Sequence, residues 1–205
     1  HSQIKCFKTM GLSPFFVDSD VIFNEVASAF PSDIDKKAVR KIFFYGAGCS
    51  SDDRKSIVRN ALTRLFPSAL VEVETDMFGT AKALFGNEQG IAAILGTGSN
   101  SCLWDGSKIV KGSPSLGYIL GDEGSGAHLG IALVRLYLNN ELPPSLRLLF
   151  EEKFSVNRNI ILDNVYRKQL PNKYLASFSS FLYEHKHNPF INFTITSCFL
   201  DFFTQ

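Results

Sequence analysis

The stretch from Ile91 to Gly126 constrains the fold of this chain more than any other, and it reads IAAILGTGSNSCLWDGSKIVKGSPSLGYILGDEGSG. An apolar run leads into the glycine-rich segment 96–99, and an extended apolar pattern then resumes. This order predicts a strand, a tight turn and a returning strand. Because glycines at 96 and 98 lack Cβ atoms, backbone N–H groups and the hydroxyls of Thr97 and Ser99 can converge on an anion. The turn is a candidate phosphate-binding site.

A second motif, LGDEGSG at 120–126, places Asp122 and Glu123 among glycines, directly before the helical-period run 127–138. Each motif also has an ordinary structural interpretation. The first is compatible with a plain glycine-rich hairpin, since it lacks the lysine and the strand-to-helix context of a P-loop. In the second motif, Asp122 is also a candidate helix N-cap. Glu123 is also a candidate for a first-turn acid, whose negative charge interacts favourably with the helix dipole. The close succession of the two motifs favours a site.

The segments GTGSNS at 96–101 and GYILGDEGSG at 117–126, preceded by VETD at 73–76, resemble a known family. It is the N-acetylglucosamine kinase and BadF/BadG-type branch of the actin-like ATPase superfamily, and the resemblance spans most of residues 10–135. It implies an α/β fold with actin-like ATPase (ribonuclease H-like) lobes and a ligand cleft between them. We expect an N-terminal lobe over residues 1–87 and a C-terminal lobe with a helical tail over residues 88–205.

The family pattern also includes an Asp-x-Gly-x-Thr hairpin before the position of residue 11 and a late adenosine-binding Gly-Gly segment. Neither is present in these 205 residues. The sequence opens in a strand-like pattern and stops within an apolar helical pattern that ends at Phe202-Phe203. We therefore expect the chain to be incomplete at both ends.

Asp76 is the leading candidate for a catalytic residue. The apolar segment 70–73 predicts a strand that runs through Glu74-Thr75 into Asp76, where a helix over 77–85 begins. Open α/β sheets bind ligands at the carboxyl ends of their strands. Phosphoryl transfer to an alcohol needs a carboxylate that accepts the hydroxyl proton, and the matching aspartate of the resembling kinases is the proposed base. Position alone favours a simple N-cap, and the two downstream motifs shift the interpretation to the catalytic role.

Further sugar-binding residues are implied by the resemblance. In the loop GLSPFF at 11–16, Ser13 is the polar candidate, although a proline-fixed turn with packed phenylalanines is the alternative. The segment SLGY at 115–118 stands where the family has a Gly-Trp-Gly-like segment, and its Leu116 and Tyr118 depart from that pattern, which leaves the particular sugar open. The implied sugar contacts are Ser13, Asp76, Asn100, Ser115, Gly117, Tyr118, Asp122 and Glu123.

Several other elements follow from periodicity. Residues 1–9 alternate weakly, as an edge or returning strand would, and Asp18 or Ser19 can cap a helix that ends near Phe30. The apolar run 42–45 predicts a central strand buried on both faces. Helices are expected near 50–66 and then over 124–139, 145–154, 157–166, 173–185 and from 190 to the end.

Composition excludes some functions. The chain has 45% hydrophobic and 20% charged residues and a net charge of +1, which gives no electrostatic argument for nucleic acid or an anionic membrane. No apolar run approaches the ~18 residues of a membrane span, and no signal-peptide layout opens the chain, so we expect a cytoplasmic protein.

The four scattered cysteines indicate buried free thiols. His185 and His187, two residues apart, point away from each other, so no metal site is predicted.

The resemblance implies ATP-dependent phosphorylation of an amino sugar, N-acetylglucosamine or a related hexosamine. The turn Gly96, Thr97, Gly98, Ser99 would bind the ATP phosphates, and Mg²⁺ would accompany ATP through phosphates and waters. One alternative is a non-catalytic sugar-sensing protein of the same fold. Another is an activator-type ATPase, for which no paired cysteine motif is present. The phenylalanine-rich helix near the C-terminus leaves open a contact between lobes or a homodimer.

Overall fold

The computed structural model describes residues 4–204, and in them it confirms a mixed α/β protein with small sheets. Most of the predicted helices and strands are present, with ends that differ by a few residues from the periodicity. In chain order the elements are α1 Ser19–Ala29, a short 3-10 helix Lys36–Ala38, β1 Lys41–Gly46, α2 Asp52–Leu65, β2 Leu70–Thr75, α3 Asp76–Phe85, β3 Gly90–Leu95, β4 Ser99–Trp104, β5 Ile109–Gly112, α4 Gly126–Leu138, α5 Pro144–Phe154, α6 Arg158–Tyr166, α7 Pro171–Ser177, α8 Ser179–Glu184 and α9 Pro189–Phe203.

The strands form two sheets within the described part of the chain. Strands β1 and β2 pair in parallel, in a register that runs from Lys41 opposite Leu70 to Gly46 opposite Thr75. Their carboxyl ends therefore coincide at one sheet edge, where the next residue after β2 is Asp76. Strands β3, β4 and β5 form a three-stranded sheet in that order, with the turn 96–98 between β3 and β4. This confirms the predicted strand, turn and returning strand.

Two predictions about the β1 region are wrong. Strand β1 is not buried on both faces, because Phe43 is 50% exposed and Tyr45 is 40% exposed while their neighbours are more buried. The sheet has two strands in residues 4–204, and only one of its faces carries the core. Residues 4–9 form no strand, since this segment pairs with neither β1 nor β2. Residues 1–3 of that predicted strand lie outside the described residues.

The chain divides into two compact units, each with its own core. The first comprises the described residues up to Ala92 together with Trp104–Ile109, and the second comprises Ala93–Leu103 and the described residues from Val110 onward. In the first unit, helices α1 and α2 pack on the sheet around fully buried Ile22 and Val58. In the second unit the core is helical and centres on the fully buried aromatic ring of Phe150.

The helix predicted over 173–185 is divided at Phe178 into α7 and α8. Three serine hydroxyls around the break donate hydrogen bonds to carbonyls three residues back: Ser177 to Tyr174, Ser179 to Ala176 and Ser180 to Ser177. Such side-chain bonds compete with the helical backbone ladder, which accounts for the interruption.

The cysteine prediction is confirmed for three of the four residues. Cys49, Cys102 and Cys198 are buried free thiols, whereas Cys6 is a free thiol on the surface, because the segment around it does not join the sheet. Among residues 4–204 no helix is long and apolar enough to cross a membrane.

Candidate functional site

Asp76 is the first residue of α3 and does not cap it. The N-cap is Thr75, whose side-chain oxygen accepts a hydrogen bond from the Phe78 N–H at 3.1 Å. The Asp76 carboxylate accepts a bond from the adjacent Met77 N–H at 2.9 Å and is half-buried. The interpretation of Asp76 as a plain N-cap is therefore wrong, because threonine already satisfies that end of the helix.

A small group of ionisable side chains surrounds this end of β2. The Lys55 ammonium on α2 lies 2.7 Å from the Glu74 carboxylate. Burial raises the pKa of the Cys49 thiol, and the nearby charges of Asp76 and Glu74 raise it further while Lys55 opposes them. The carboxyl edge of the first unit's sheet thus brings together two carboxylates and one ammonium group around a buried thiol.

Ser13 lies in a turn against the residues that follow β1. Its carbonyl accepts hydrogen bonds from the Phe16 and Val17 N–H groups at 3.0 and 3.2 Å, so the proline-fixed turn is present. Gly48 has a φ of +86°, and a Cβ atom there would lie 2.7 Å from both the Ser13 hydroxyl and the Phe15 ring. Only glycine allows this approach. The Ser13 side chain therefore lies at the same sheet edge that carries Asp76.

In the second unit, the Gly96–Ser99 turn rests on the N-terminus of α4. The Gly126 and Ala127 N–H groups donate to the Gly96 and Thr97 carbonyls at 2.8 and 3.1 Å. Within the turn the Gly96 N–H donates to the Gly98 carbonyl at 2.9 Å. A Cβ atom on Gly96 would meet nothing closer than 4.0 Å, so this side of the turn is open to a ligand.

The Asp122 carboxylate contacts this turn from 23 positions further along the chain. Its Oδ1 accepts a hydrogen bond from the Ser99 N–H at 3.3 Å, and its Oδ2 would lie 2.8 Å from a Cβ atom on Gly98. Asp122 has a left-handed φ of 60°, which is uncommon for a non-glycine residue and is held here by the surrounding contacts. The two sequence motifs thus meet in space.

Neither Asp122 nor Glu123 caps α4. The N-cap is Ser125, which is fully buried and accepts a hydrogen bond from the His128 N–H at 3.1 Å. Both predicted alternatives, the Asp122 cap and the first-turn Glu123, are therefore wrong, because the chain turns once more before the helix begins. A serine directly before a helical-period run is a recognisable capping signal, and the sequence reasoning gave it no role.

Sequence reasoning also missed His128. Its Nδ1 accepts a hydrogen bond from the Gly124 N–H at 3.0 Å, and its Nε2 lies 3.8 Å from the Asp201 carboxylate on α9. These three residues link the acidic motif to the last described helix. No local pattern signals that link, since Asp201 lies far along the chain.

The remaining sugar-binding candidates occupy two places in the second unit. The Asn100 amide donates to the Ser115 hydroxyl at 3.2 Å and accepts from the Ser113 hydroxyl at 3.0 Å. Gly117 has a φ of +76° and starts a turn. Its carbonyl oxygen accepts hydrogen bonds from the Leu120 and Gly121 N–H groups. Tyr118 is half-buried and packs against the helical core.

A groove of about 400 Å³ lies beside the Gly96–Ser99 turn, the candidate phosphate-binding site. Gly96, Thr97 and Gly126 line one side, and Leu129, Ala176 and Phe199 supply apolar surface. Among residues 4–204 there is no group of three or more His, Cys, Asp or Glu side chains that could hold a metal ion.

Comparison with solved structures identifies the family. The chain superposes on the crystal structure of a protein from Porphyromonas gingivalis named as a putative N-acetylglucosamine kinase, with a TM-score of 0.90 and 39% sequence identity over 97% of this chain and 71% of that chain. A second structure, named as a putative N-acetylglucosamine kinase from Chromobacterium violaceum, gives a TM-score of 0.59 and 19% identity over 84% of this chain and 62% of that chain, which supports the fold alone. No protein-family model and no curated protein matches the chain.

The fold and the meeting of the two motifs define an α/β protein with a glycine-rich turn and an acidic segment in contact. At 39% identity over nearly all of its length, the chain belongs to the N-acetylglucosamine kinase family that its motifs resemble.

Proposed function

We propose that this protein is an ATP-dependent kinase that phosphorylates a hydroxyl group of an amino sugar, N-acetylglucosamine or a related hexosamine. The observation that carries the proposal is the contact of the Asp122 carboxylate with Gly98 and Ser99, in a chain with a kinase-named relative at 39% identity. Assignment of residues 1–87 and 88–205 to two actin-like lobes is part of the same proposal.

The Gly96–Ser99 turn suits the phosphates of ATP. Its open side at Gly96 admits close approach of a ligand, and its position at the start of α4 adds the favourable end of a helix dipole for negative charge. The groove beside it has apolar walls from Leu129 and Phe199, which suit a nucleoside base. ATP supplies the phosphoryl group that is transferred. Mg²⁺ would be held through phosphates and waters, in keeping with its preference for few protein ligands.

Asp76 would accept the proton of the sugar hydroxyl that becomes phosphorylated. Its carboxylate is half-buried and carries a local bond from Met77, which leaves oxygen lone pairs for a substrate hydroxyl. A carboxylate within hydrogen-bond reach of the hydroxyl takes its proton as the new bond forms, so that no free alkoxide has to develop.

Asp122 would orient the sugar through its other hydroxyls. The Ser99 bond leaves further lone pairs on this carboxylate, and the left-handed turn fixes where they point. Because phosphoryl transfer depends mainly on alignment, a fixed carboxylate contributes to rate as well as to binding. Ser13, Asn100, Ser115, Gly117, Tyr118 and Glu123 are proposed to complete the sugar contacts.

The test measures ATP consumption by the protein expressed from its complete open reading frame. The panel contains N-acetylglucosamine, glucosamine, glucose, N-acetylmannosamine and no sugar. We expect turnover that requires an amino sugar and that falls by a factor of about a hundred or more in Asp76→Asn.

Asp52→Asn is the matched control, because Asp52 is also the first residue of a helix and also follows a hydroxyl N-cap residue. It should retain the activity. Sugar-independent turnover that is indifferent to Asp76 would favour the activator-type ATPase. Sugar binding without any turnover would favour the sensor.

A further inference from the structure

The turn that carries Asp122 has an uncommon backbone. Asp122 and Gly124 both have positive φ angles, 60° and 73°, and the Ser125 N–H donates to the Asp122 carbonyl at 3.1 Å. Such conformations persist where surrounding contacts hold them.

His128, one turn into α4, reaches back to it. The Gly124 N–H can only donate, so the imidazole Nδ1 at 3.0 Å must accept and carry no proton. The His128 N–H in turn donates to the Ser125 hydroxyl. A single side chain thus joins the backbone of the turn to the first turn of the helix.

Asp201 on α9 favours the form of His128 that can do this. Its carboxylate lies 3.8 Å from Nε2, on the opposite side of the ring from Gly124. A negative charge there stabilises a proton on Nε2 and so leaves Nδ1 as the acceptor. Helix α9 also packs on the turn itself, since a Cβ atom on Gly124 would lie 2.8 Å from the Cβ atom of Phe202.

We infer that His128, oriented by Asp201, is a positioning residue that fixes the Asp122 carboxylate against the Gly98–Ser99 backbone. The inference rests on the proposed function in one respect, because it takes Asp122 to bind the sugar. His128 itself touches neither the sugar nor ATP in this proposal, and it acts through the Gly124 backbone.

The experiment compares His128→Leu, which removes the acceptor, with His128→Asn, whose amide oxygen can still accept a hydrogen bond from the Gly124 N–H. His187→Leu serves as the matched control, since His187 is exposed and lies away from the motif in sequence. Two quantities are measured: the hydrogen-exchange protection factor of the Gly124 amide by NMR, and the KM for the sugar.

We expect His128→Leu to lower the protection factor about tenfold and to raise the sugar KM about tenfold, with a smaller change in kcat. His128→Asn should stay within about threefold of the parent protein in both the protection factor and the sugar KM, because its amide oxygen restores the acceptor. If His128→Leu fails to fold, Asp201→Asn, at a largely exposed residue, tests the same link and should lower the protection factor by a smaller factor.

Unchanged Gly124 protection in His128→Leu, or equal losses in the leucine and asparagine variants, would overturn the inference. The proposed function has a separate failure, which is the absence of sugar-dependent turnover in the parent protein. In that event the protection factors still decide whether His128 holds the turn.

Discussion

The Asp122 carboxylate and the Gly98 backbone are so close that no side chain fits between them. A Cβ atom on Gly98 would lie 2.8 Å from Oδ2 and 3.1 Å from Oδ1 of Asp122. Gly98 does not have a positive φ, so its lack of a side chain serves this contact and not a special backbone conformation. The glycine pattern of the turn therefore has two different roles, since Gly96 faces open space.

This difference predicts opposite outcomes for two alanine substitutions. Gly98→Ala should displace the Asp122 carboxylate and raise the sugar KM by about tenfold or more, with a fall in kcat, because the carboxylate would lose its bond to Ser99. In Gly96→Ala the added methyl group would have no neighbour closer than 4.0 Å. The sugar KM of this variant should therefore stay within about threefold of the parent value. Steady-state kinetics with the sugar varied at saturating ATP measures both.

A normal sugar KM in Gly98→Ala would contradict the role assigned to Asp122. A large effect from Gly96→Ala with an unchanged sugar KM and a raised ATP KM would instead locate phosphate binding at the open side of the turn.

Gly130→Ala should destabilise the second unit. Gly130 faces α7 so closely that a Cβ atom would lie 1.9 Å from the Leu175 carbonyl oxygen and 2.6 Å from the carbonyl carbon. Backbone atoms cannot rotate away as a side chain can, so the two helices must separate. We expect a loss of about 2–3 kcal/mol in the free energy of unfolding, although alanine is the better helix former by about 1 kcal/mol.

Urea unfolding followed by far-UV circular dichroism measures this loss. Gly112→Ala is the control, because its nearest neighbour would be the Ser101 carbonyl oxygen at an ordinary 3.6 Å. Equal stability of Gly130→Ala and the control would mean that α4 and α7 do not pack as closely as the structure has them.

Local patterns were sufficient to predict most of the elements. The apolar runs before and after the Gly96–Ser99 turn became β3 and β4, and the segment ending at Asp76 became β2 followed by α3. Such predictions succeed because hydrophobic periodicity and turn residues act within a few positions of the chain.

The residues that cap the helices were less predictable. Thr75 and Ser125, not the neighbouring aspartates, accept the capping bonds, because several residue types can cap and the backbone path selects one.

Tertiary relationships could not be predicted from local patterns. The contact between Asp122 and Ser99 joins residues 23 positions apart, and the link from Gly124 through His128 to Asp201 spans two helices. The exposure of Phe43 and Tyr45 depends on which elements cover β1, and the apolar run itself carries no information about that. The resemblance to a family predicted that the two motifs act together, and the structure supplies the hydrogen bond that joins them.

The stability of the protein should fall in mildly alkaline solution, and Cys198 should contribute to the fall. Burial raises the pKa of this thiol from 9.0 to about 11, with a smaller contribution from the Asp201 carboxylate. The folded protein therefore keeps the proton where the unfolded chain releases it. Unfolding becomes more favourable as the pH rises from about 9 towards about 11, and the stabilisation is fully present only below this interval.

Cys198→Ala removes the titrating thiol, and Cys6→Ala is the matched control because Cys6 is exposed. The free energy of unfolding, measured with urea between about pH 8 and about pH 10.5, should fall less steeply in Cys198→Ala than in the parent protein, by about 2 kcal/mol across the interval. The slope is the informative quantity, because the alanine also leaves a small cavity that lowers stability equally at every pH. Burial also raises the pKa of Tyr137 and Tyr174 above 10.0, so a residual alkaline decline should remain in both variants. Parallel curves for Cys198→Ala and the parent protein would show that the thiol ionises at the same pH in the folded and unfolded states, and hence that α9 does not bury it in solution.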